Sequence, residues 1–172
     1  MSAKRHLLLV EDDENDVWFL KRAFAEAEID NPVQVARDGE EAIAYLDGRG
    51  AFADRRQYPL PYLMILDLKM PRKTGLDVLA WLRLQDVLHS LPVIVFSSSA
   101  HPQDVEEAYR LGANSFVVKP SVTAQRTEFA RMLKGYWLGL NEPPAVCVEG
   151  VEAARKMRGE HLGAGKPGEG CL

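Results

Sequence analysis

Asp67 follows directly on the apolar run Met64-Ile65-Leu66, and Pro71 stops the chain four residues later. A run this dense in branched aliphatic residues reads as a strand buried on both faces of a parallel sheet. An unpaired carboxylate is too costly inside such a strand. It fits at the carboxyl end, where open α/β sheets hold their ligands. Other apolar runs end in the same way: Glu11, Asp12 and Asp13 follow Leu7–Val10, Ser97 follows residues 93–96, and Lys119 follows Ser115–Val118. If these runs are parallel strands, all of those groups share one sheet edge. Two carboxylates about 4 Å apart repel by roughly 4 kcal/mol at an effective dielectric of 20, so the acids call for a cation. An all-oxygen set that leaves room for water suits Mg²⁺. A lysine ammonium and a serine hydroxyl at the same place can hold phosphoryl oxygens. The chemistry implied is that of a phosphoryl group beside a hard divalent cation.

Positioning these groups requires strands and helices in alternation, and the periodicity supplies them. A strand over 6–10 precedes a helix over 14–28, with Val17, Leu20, Phe24 and Ala27 at helical spacing. A second strand, Val33–Ala36, ends at the turn pair Asp38-Gly39 and leads to a helix over 40–46, closed by Gly48 and Gly50. The connection over 49–61, with Arg49, Arg55 and Arg56, is long for a compact domain; it reads as a solvated loop, with partner contact as the second reading. A third strand over 62–66 carries Asp67, and Gly75 opens a helix that turns Leu76, Leu79, Leu82 and Trp81 inward. The strand over 93–96 follows. Pro102 then starts a helix through Val105, Ala108 and Leu111, closed by Gly112. After the fifth strand, residues 122–140 form a long helix with Phe129, Met132, Leu133, Tyr136, Trp137 and Leu140 on one side. Five repeats of strand and helix predict an α/β fold: a doubly wound five-stranded parallel sheet with right-handed crossovers.

The remaining composition narrows the class. At 172 residues the chain suffices for one well-buried core and a short appendage. A net charge of -4 gives no footprint for nucleic acid. Cys147 and Cys171 are too few and too late to frame the fold, so a reducing compartment is expected. No apolar run reaches the length of a signal peptide or a membrane span, which predicts a cytosolic protein without membrane contact. Beyond Pro143-Pro144, a tail over 141–172 is expected to be partly disordered, with a short helix over 151–157. Its Gly163-Ala164-Gly165-Lys166-Pro167 run lacks both the glycine spacing and the hydroxyl residue of a phosphate loop. His6, His89, His101 and His161 show no metal-ligand spacing.

Taken as a set, Val10-Glu11-Asp12, Leu66-Asp67 with Met70-Pro71 and Gly75, Val95-Phe96-Ser97-Ser98, and Val117-Val118-Lys119-Pro120 resemble the receiver domain of two-component response regulators, over about residues 5–140. The 49–61 connection, the segment 108–116 and the Tyr136-Trp137-Leu138 ending further resemble the stand-alone regulators that partner bacterial phytochromes. The resemblance implies the flavodoxin-like strand order 2-1-3-4-5 and a domain over 1–140. It implies a regulator rather than an enzyme, with Asp67 accepting a phosphoryl group from a sensor histidine kinase. Glu11, Asp12, Asp67 and the backbone carbonyl of Lys69 would hold Mg²⁺, and Lys119 would stabilise the transferring group. Ser97 and Phe116 would form the switch, and the Lys119–Pro120 bond would be cis. A homodimer through the fourth and fifth helices would use Tyr136 and Trp137.

Several residues carry more than one reading. Asp13 is either a third pocket acid or the cap of the first helix. Lys69 is a solvated loop lysine or a side chain over the pocket that affects hydrolysis. Ser99 is a loop residue or one that tunes the phosphoryl lifetime. Two other functions compete: an aspartyl-nucleophile phosphohydrolase of the haloacid-dehalogenase type, and a receiver-like module that is never phosphorylated. The first wants an Asp two residues after Asp67, where this chain has Lys69.

Overall fold

A computed structural model describes residues 5–142. Its five strands pair in the order β2-β1-β3-β4-β5, every pair parallel. β1 (Leu7–Val10), β3 (Leu63–Leu66) and β4 (Val93–Ser97) are buried at every residue, as their unbroken apolar runs require. β2 (Val33–Ala36) and β5 (Ser115–Val118) form the edges. Alternation along the strands divides the core into two layers. Leu8, Val10, Met64, Leu66, Val93 and Val95 face α2 (Gly39–Asp47), α3 (Gly75–Arg83) and α4 (Pro102–Arg110). Leu7, Leu9, Leu63, Ile65, Ile94 and Phe96 face α1 (Glu14–Glu26) and α5 (Thr123–Leu133).

The helix starts are specified locally. Asp13 caps α1 by accepting from the backbone N–H groups of Asn15 and Asp16. Asp38 caps α2, and Thr74 with Asp77 forms a capping box on α3. Pro102 occupies the first turn of α4. At its far end α1 stops at Glu26, short of the expected 28, because Glu28 turns to a left-handed φ of 55°.

Three expectations need correction. The 49–61 connection is not simply solvated: a 3₁₀ turn, Gly50–Phe52, starts it, and Arg55 folds back onto the end of α2. Its guanidinium donates to the carbonyls of Tyr45 (2.7 Å) and Leu46 (2.7 Å), in the last turn of α2 where a helix leaves carbonyls without their usual partners, and to that of Tyr58 (3.1 Å) in the connection itself. The last helix does not present one apolar side. It is α-helical to Leu133 and π-helical from Lys134 to Leu140. Leu133 is buried and Phe129, Trp137 and Leu138 pack on the core, while Met132, Tyr136 and Leu140 point to solvent. The Lys119–Pro120 bond is trans, as are all peptide bonds among the described residues. Trans is the isomer an X–Pro amide prefers intrinsically. Cys147, Cys171, His161, the Gly163–Pro167 run and the helix expected over 151–157 lie outside the described residues.

Candidate functional site

The sheet ladder itself delivers the reactive groups to one edge. Val10 and Leu66 are in register, Leu66 pairs with Val95, and Ser97 pairs with Val118. One step beyond, the Asp67 N–H donates to the Val10 carbonyl (3.0 Å), Glu11 to Ala36 (2.9 Å) and Lys119 to Ser97 (2.8 Å). Each of these three residues is therefore held by the last rung of a neighbouring strand. Behind Asp67 the chain turns through Met70-Pro71 and returns at Gly75, whose N–H donates to the Leu68 carbonyl at 3.1 Å.

At the centre is the Lys119 ammonium, whose side chain is 7% exposed. It lies 2.6 Å from Glu11 Oε2, 2.9 Å from Asp67 Oδ2 and 2.9 Å from Asp16 Oδ2. Burial by itself would lower the Lys119 pKa, but the carboxylates of Glu11, Asp67 and Asp16 more than reverse that, and the group stays a cation. Glu11 experiences the opposite balance. Burial pushes its carboxyl up to about 7, with Asp67 adding to the rise and Lys119 opposing it. Asp67 Oδ1, the oxygen not shared with Lys119, accepts from the Lys69 N–H at 3.2 Å.

Oxygens of Glu11, Asp12 and Asp67 all come within 4.8 Å of one another, Glu11 and Asp67 buried and Asp12 exposed. An all-oxygen, acid-rich set with one open side fits a hard divalent cation, which keeps several of its waters.

Ser97 is wholly buried beside this group, and its Oγ accepts from the Ser99 N–H at 3.4 Å. Phe116 sits on β5, partly buried against the α3/α4 core layer, with its N–H donating to the Tyr109 hydroxyl at 3.2 Å. Asp13 is at the head of α1, where its side chain caps the helix and its N–H donates to Glu11 Oε1 at 3.2 Å. Lys69 points its ammonium to Asp104 Oδ2 on α4 (3.2 Å), and the same carboxylate accepts from the Ser99 hydroxyl. The two pocket loops are thus linked through Asp104, which the sequence reading did not single out. Asp16 and its partner Arg126 on α5 (Nη1 to Oδ1, 3.1 Å) were also missed. The one available signal for Asp16 was an acid off the Val17, Leu20, Phe24 stripe, in the first turn of the helix that leaves the pocket.

The response regulator receiver domain family matches residues 7–130. The chain belongs to that family. This receiver is 30% identical over 139 residues to response regulator Rcp1 of Synechocystis sp., covering 81% of this chain and 92% of Rcp1. The Mn²⁺-bound structure of Rcp1 superposes with a TM-score of 0.74 over 82% of this chain and 99% of that one. The phosphorylated cyanobacterial phytochrome response regulator RcpA gives 0.77 at 31% identity, covering 83% of the receiver and 100% of RcpA. The bacteriophytochrome response regulator RtBRR is 37% identical with a TM-score of 0.67, covering 90% and 91%. The strand order and the five helices are those of the receiver fold. Among the described residues no helix is long and apolar enough to cross a membrane.

Proposed function

We propose that this receiver is a phosphoacceptor of the phytochrome type: Asp67 takes a phosphoryl group from a phosphohistidine of a sensor histidine kinase, with Mg²⁺ in the acidic pocket. The observation that carries the reading is the Lys119 ammonium, bonded at once to Asp67 and Glu11 at the mouth of the acid cluster. An Asp67 carboxylate oxygen attacks phosphorus, the P–O bond forms, and the P–N bond breaks with its electron pair returning to the imidazole. Lys119 stays beside the acceptor to neutralise charge on the transferring oxygens. Glu11, Asp12, Asp67 and the Lys69 carbonyl would hold the cation, which would supply further charge neutralisation there. That RcpA has been solved phosphorylated and Rcp1 with Mn²⁺ supports both halves of the assignment.

Ser97 is the hydroxyl that turns to a phosphoryl oxygen on Asp67, and Phe116 is the aromatic that repacks with it. Phosphorylation adds a doubly charged group, and this local change is the signal. Its readout is a homodimer through α4 and α5 with the chain end beyond them. Tyr136 is half-exposed there and stacks edge-on against Trp137 at 5.2 Å, in keeping with the enrichment of aromatics at interfaces. RtBRR and RcpA, named for phytochromes, support a phytochrome kinase as the donor.

The test is intact mass after incubation with Mg²⁺ and a small phosphodonor. Wild type gains one alkali-labile phosphoryl and Asp67→Asn gains none. Absence of the adduct on wild type overturns the assignment, and fast donor turnover without an adduct assigns a phosphohydrolase instead.

A further inference from the structure

The third partner of Lys119 is not part of the cation cluster. Asp16 stands in the first turn of α1, with Oδ2 at 2.9 Å from Lys119 Nζ and Oδ1 at 3.1 Å from Arg126 Nη1. Arg126 in turn donates from Nε to the carbonyl of Pro120, the residue after Lys119, at 2.8 Å. Its guanidinium lies 4.9 Å over the Phe19 ring. The result is a closed ring: Lys119 to Pro120 along the backbone, Pro120 to Arg126, Arg126 to Asp16, and Asp16 back to the ammonium. Burial works against the Asp16 charge, but Lys119 and Arg126 together hold its carboxyl below the usual carboxylate range.

We propose that Asp16, braced by Arg126, is a positioning residue for Lys119 during phosphoryl transfer to Asp67. The proposal rests on the phosphoacceptor reading and deepens it. An ammonium has three N–H donors, and here Glu11, Asp67 and Asp16 take all of them. Glu11 and Asp67 also belong to the oxygen cluster that suits a divalent cation, whereas Asp16 does not. A cation in that cluster competes for both acids and repels Lys119 directly. Asp16 is the anion left to keep the ammonium at the pocket, on a long side chain that otherwise regains much rotamer freedom. Arg126 fixes the direction of Asp16, because its planar fork reaches the carboxylate and the Pro120 carbonyl together. One donor of Lys119 then stays on Asp16, and those released by Glu11 and Asp67 turn to the phosphoryl oxygens.

The experiment compares wild type, Asp16→Ala, Asp16→Asn, Arg126→Gln and the Asp16→Ala/Arg126→Gln double variant at saturating Mg²⁺ with phosphoramidate as donor. Phosphoryl uptake by intact mass slows about tenfold in Asp16→Ala, the scale of a modest misplacement of a reacting group. It slows less in Arg126→Gln, and the double variant is no slower than Asp16→Ala. Mg²⁺ affinity by calorimetry stays within about threefold of wild type, on a scale where tenfold is 1.4 kcal/mol. The Lys119 ammonium signal in ¹⁵N NMR, sharp in wild type with Mg²⁺ bound, broadens by exchange with water in Asp16→Ala. Asp16→Asn keeps the shape and separates loss of charge from loss of packing if the alanine variant folds poorly. Uptake at the wild-type rate in both Asp16 variants overturns the proposal. So does a slowing that parallels a loss of Mg²⁺ affinity or of thermal stability. A wild type that takes no phosphoryl, or takes it equally with Asp67→Asn, refutes the phosphoacceptor reading itself.

Discussion

A β-carbon on residue 75 would stand 2.2 Å from the carbonyl oxygen of Asp67 and 2.9 Å from the Cα of Leu68. Both obstacles are backbone, so neither can swing aside. Gly75 starts α3 against the peptide that carries Asp67. Gly75→Ala is expected to displace that peptide and cost about 1–3 kcal/mol, the usual range for overpacking. Urea denaturation with and without Mg²⁺ reads the cost, and phosphoryl uptake by Asp67 should fall with it. A variant as stable and as reactive as wild type would show that the loop yields freely.

The buried Lys119 ammonium pairs with three carboxylates at 2.6–2.9 Å. Removing one partner of a buried charge pair leaves the others uncompensated, a loss of roughly 3–5 kcal/mol. Lys119→Met should therefore be markedly less stable than wild type in a chelator. Mg²⁺ should restore more stability to the variant than it adds to wild type, since the same acids then hold a cation. Equal Mg²⁺ effects on both proteins would contradict this.

Glu11 predicts a pH dependence of defined sign. Its folded pKa of about 7 lies above its ordinary 4.5, so the folded state holds the proton more tightly than the unfolded chain. The contribution of this group to stability is full below pH 4.5 and is lost as pH rises through about 7. Metal-free wild type should lose stability across that window relative to Glu11→Gln, which has no proton to lose there. Denaturation in a chelator at pH 5, 6, 7 and 8 is the check. Adding Mg²⁺ at pH 6 should release protons, measurable as a dependence of binding enthalpy on buffer ionisation.

Arg55 makes charge-assisted hydrogen bonds to the carbonyls of Tyr45, Leu46 and Tyr58. Arg55→Ala should destabilise the fold by about 1–3 kcal/mol and leave the rate of phosphoryl uptake unchanged. Gly48 just beneath is constrained as well: its φ is +67° and a β-carbon there would meet the Arg55 guanidinium at 2.7 Å. A stability loss confined to Arg55→Ala, with normal uptake, separates this brace from the pocket.

The parts of the molecule legible in its sequence are those where one physical demand dominates. β1, β3 and β4 are buried on both faces, so nothing polar could interrupt them and their carboxyl ends stood out. Glu11, Asp67, Ser97 and Lys119 were placed by that logic alone, since parallel strands leave their ends at one edge. Asp16 and Asp104 were not legible, because a lone acid on a helix looks the same whether it meets water or a lysine from the far end of the chain. Arg55 escaped for another reason: its partners are carbonyls, which every residue has. The apolar stripe of the last helix misled in two ways: Met132 is exposed while the helix is still α, and after Leu133 hydrogen bonding changes to the π pattern. The wider turn alters the angular step per residue, so positions spaced for 3.6 residues per turn no longer share a face.

The edge of the sheet remote from Asp67 has a structure of its own. Arg5 donates to the Tyr62 hydroxyl (3.0 Å), that hydroxyl donates to the Asn141 carbonyl (2.6 Å), and the Arg5 guanidinium covers the Tyr62 ring. Residues 5 and 141 are thereby fastened to one another at the amino ends of β1 and β3. For protein engineering this makes the domain a natural candidate for circular permutation. With the chain trimmed to residues 5–141, a short linker can join those two residues there, and new termini opened elsewhere on the surface leave the Asp67 edge untouched. A reporter fused directly to residue 5 or residue 141 of such a trimmed domain likewise sits a full strand length from Asp67.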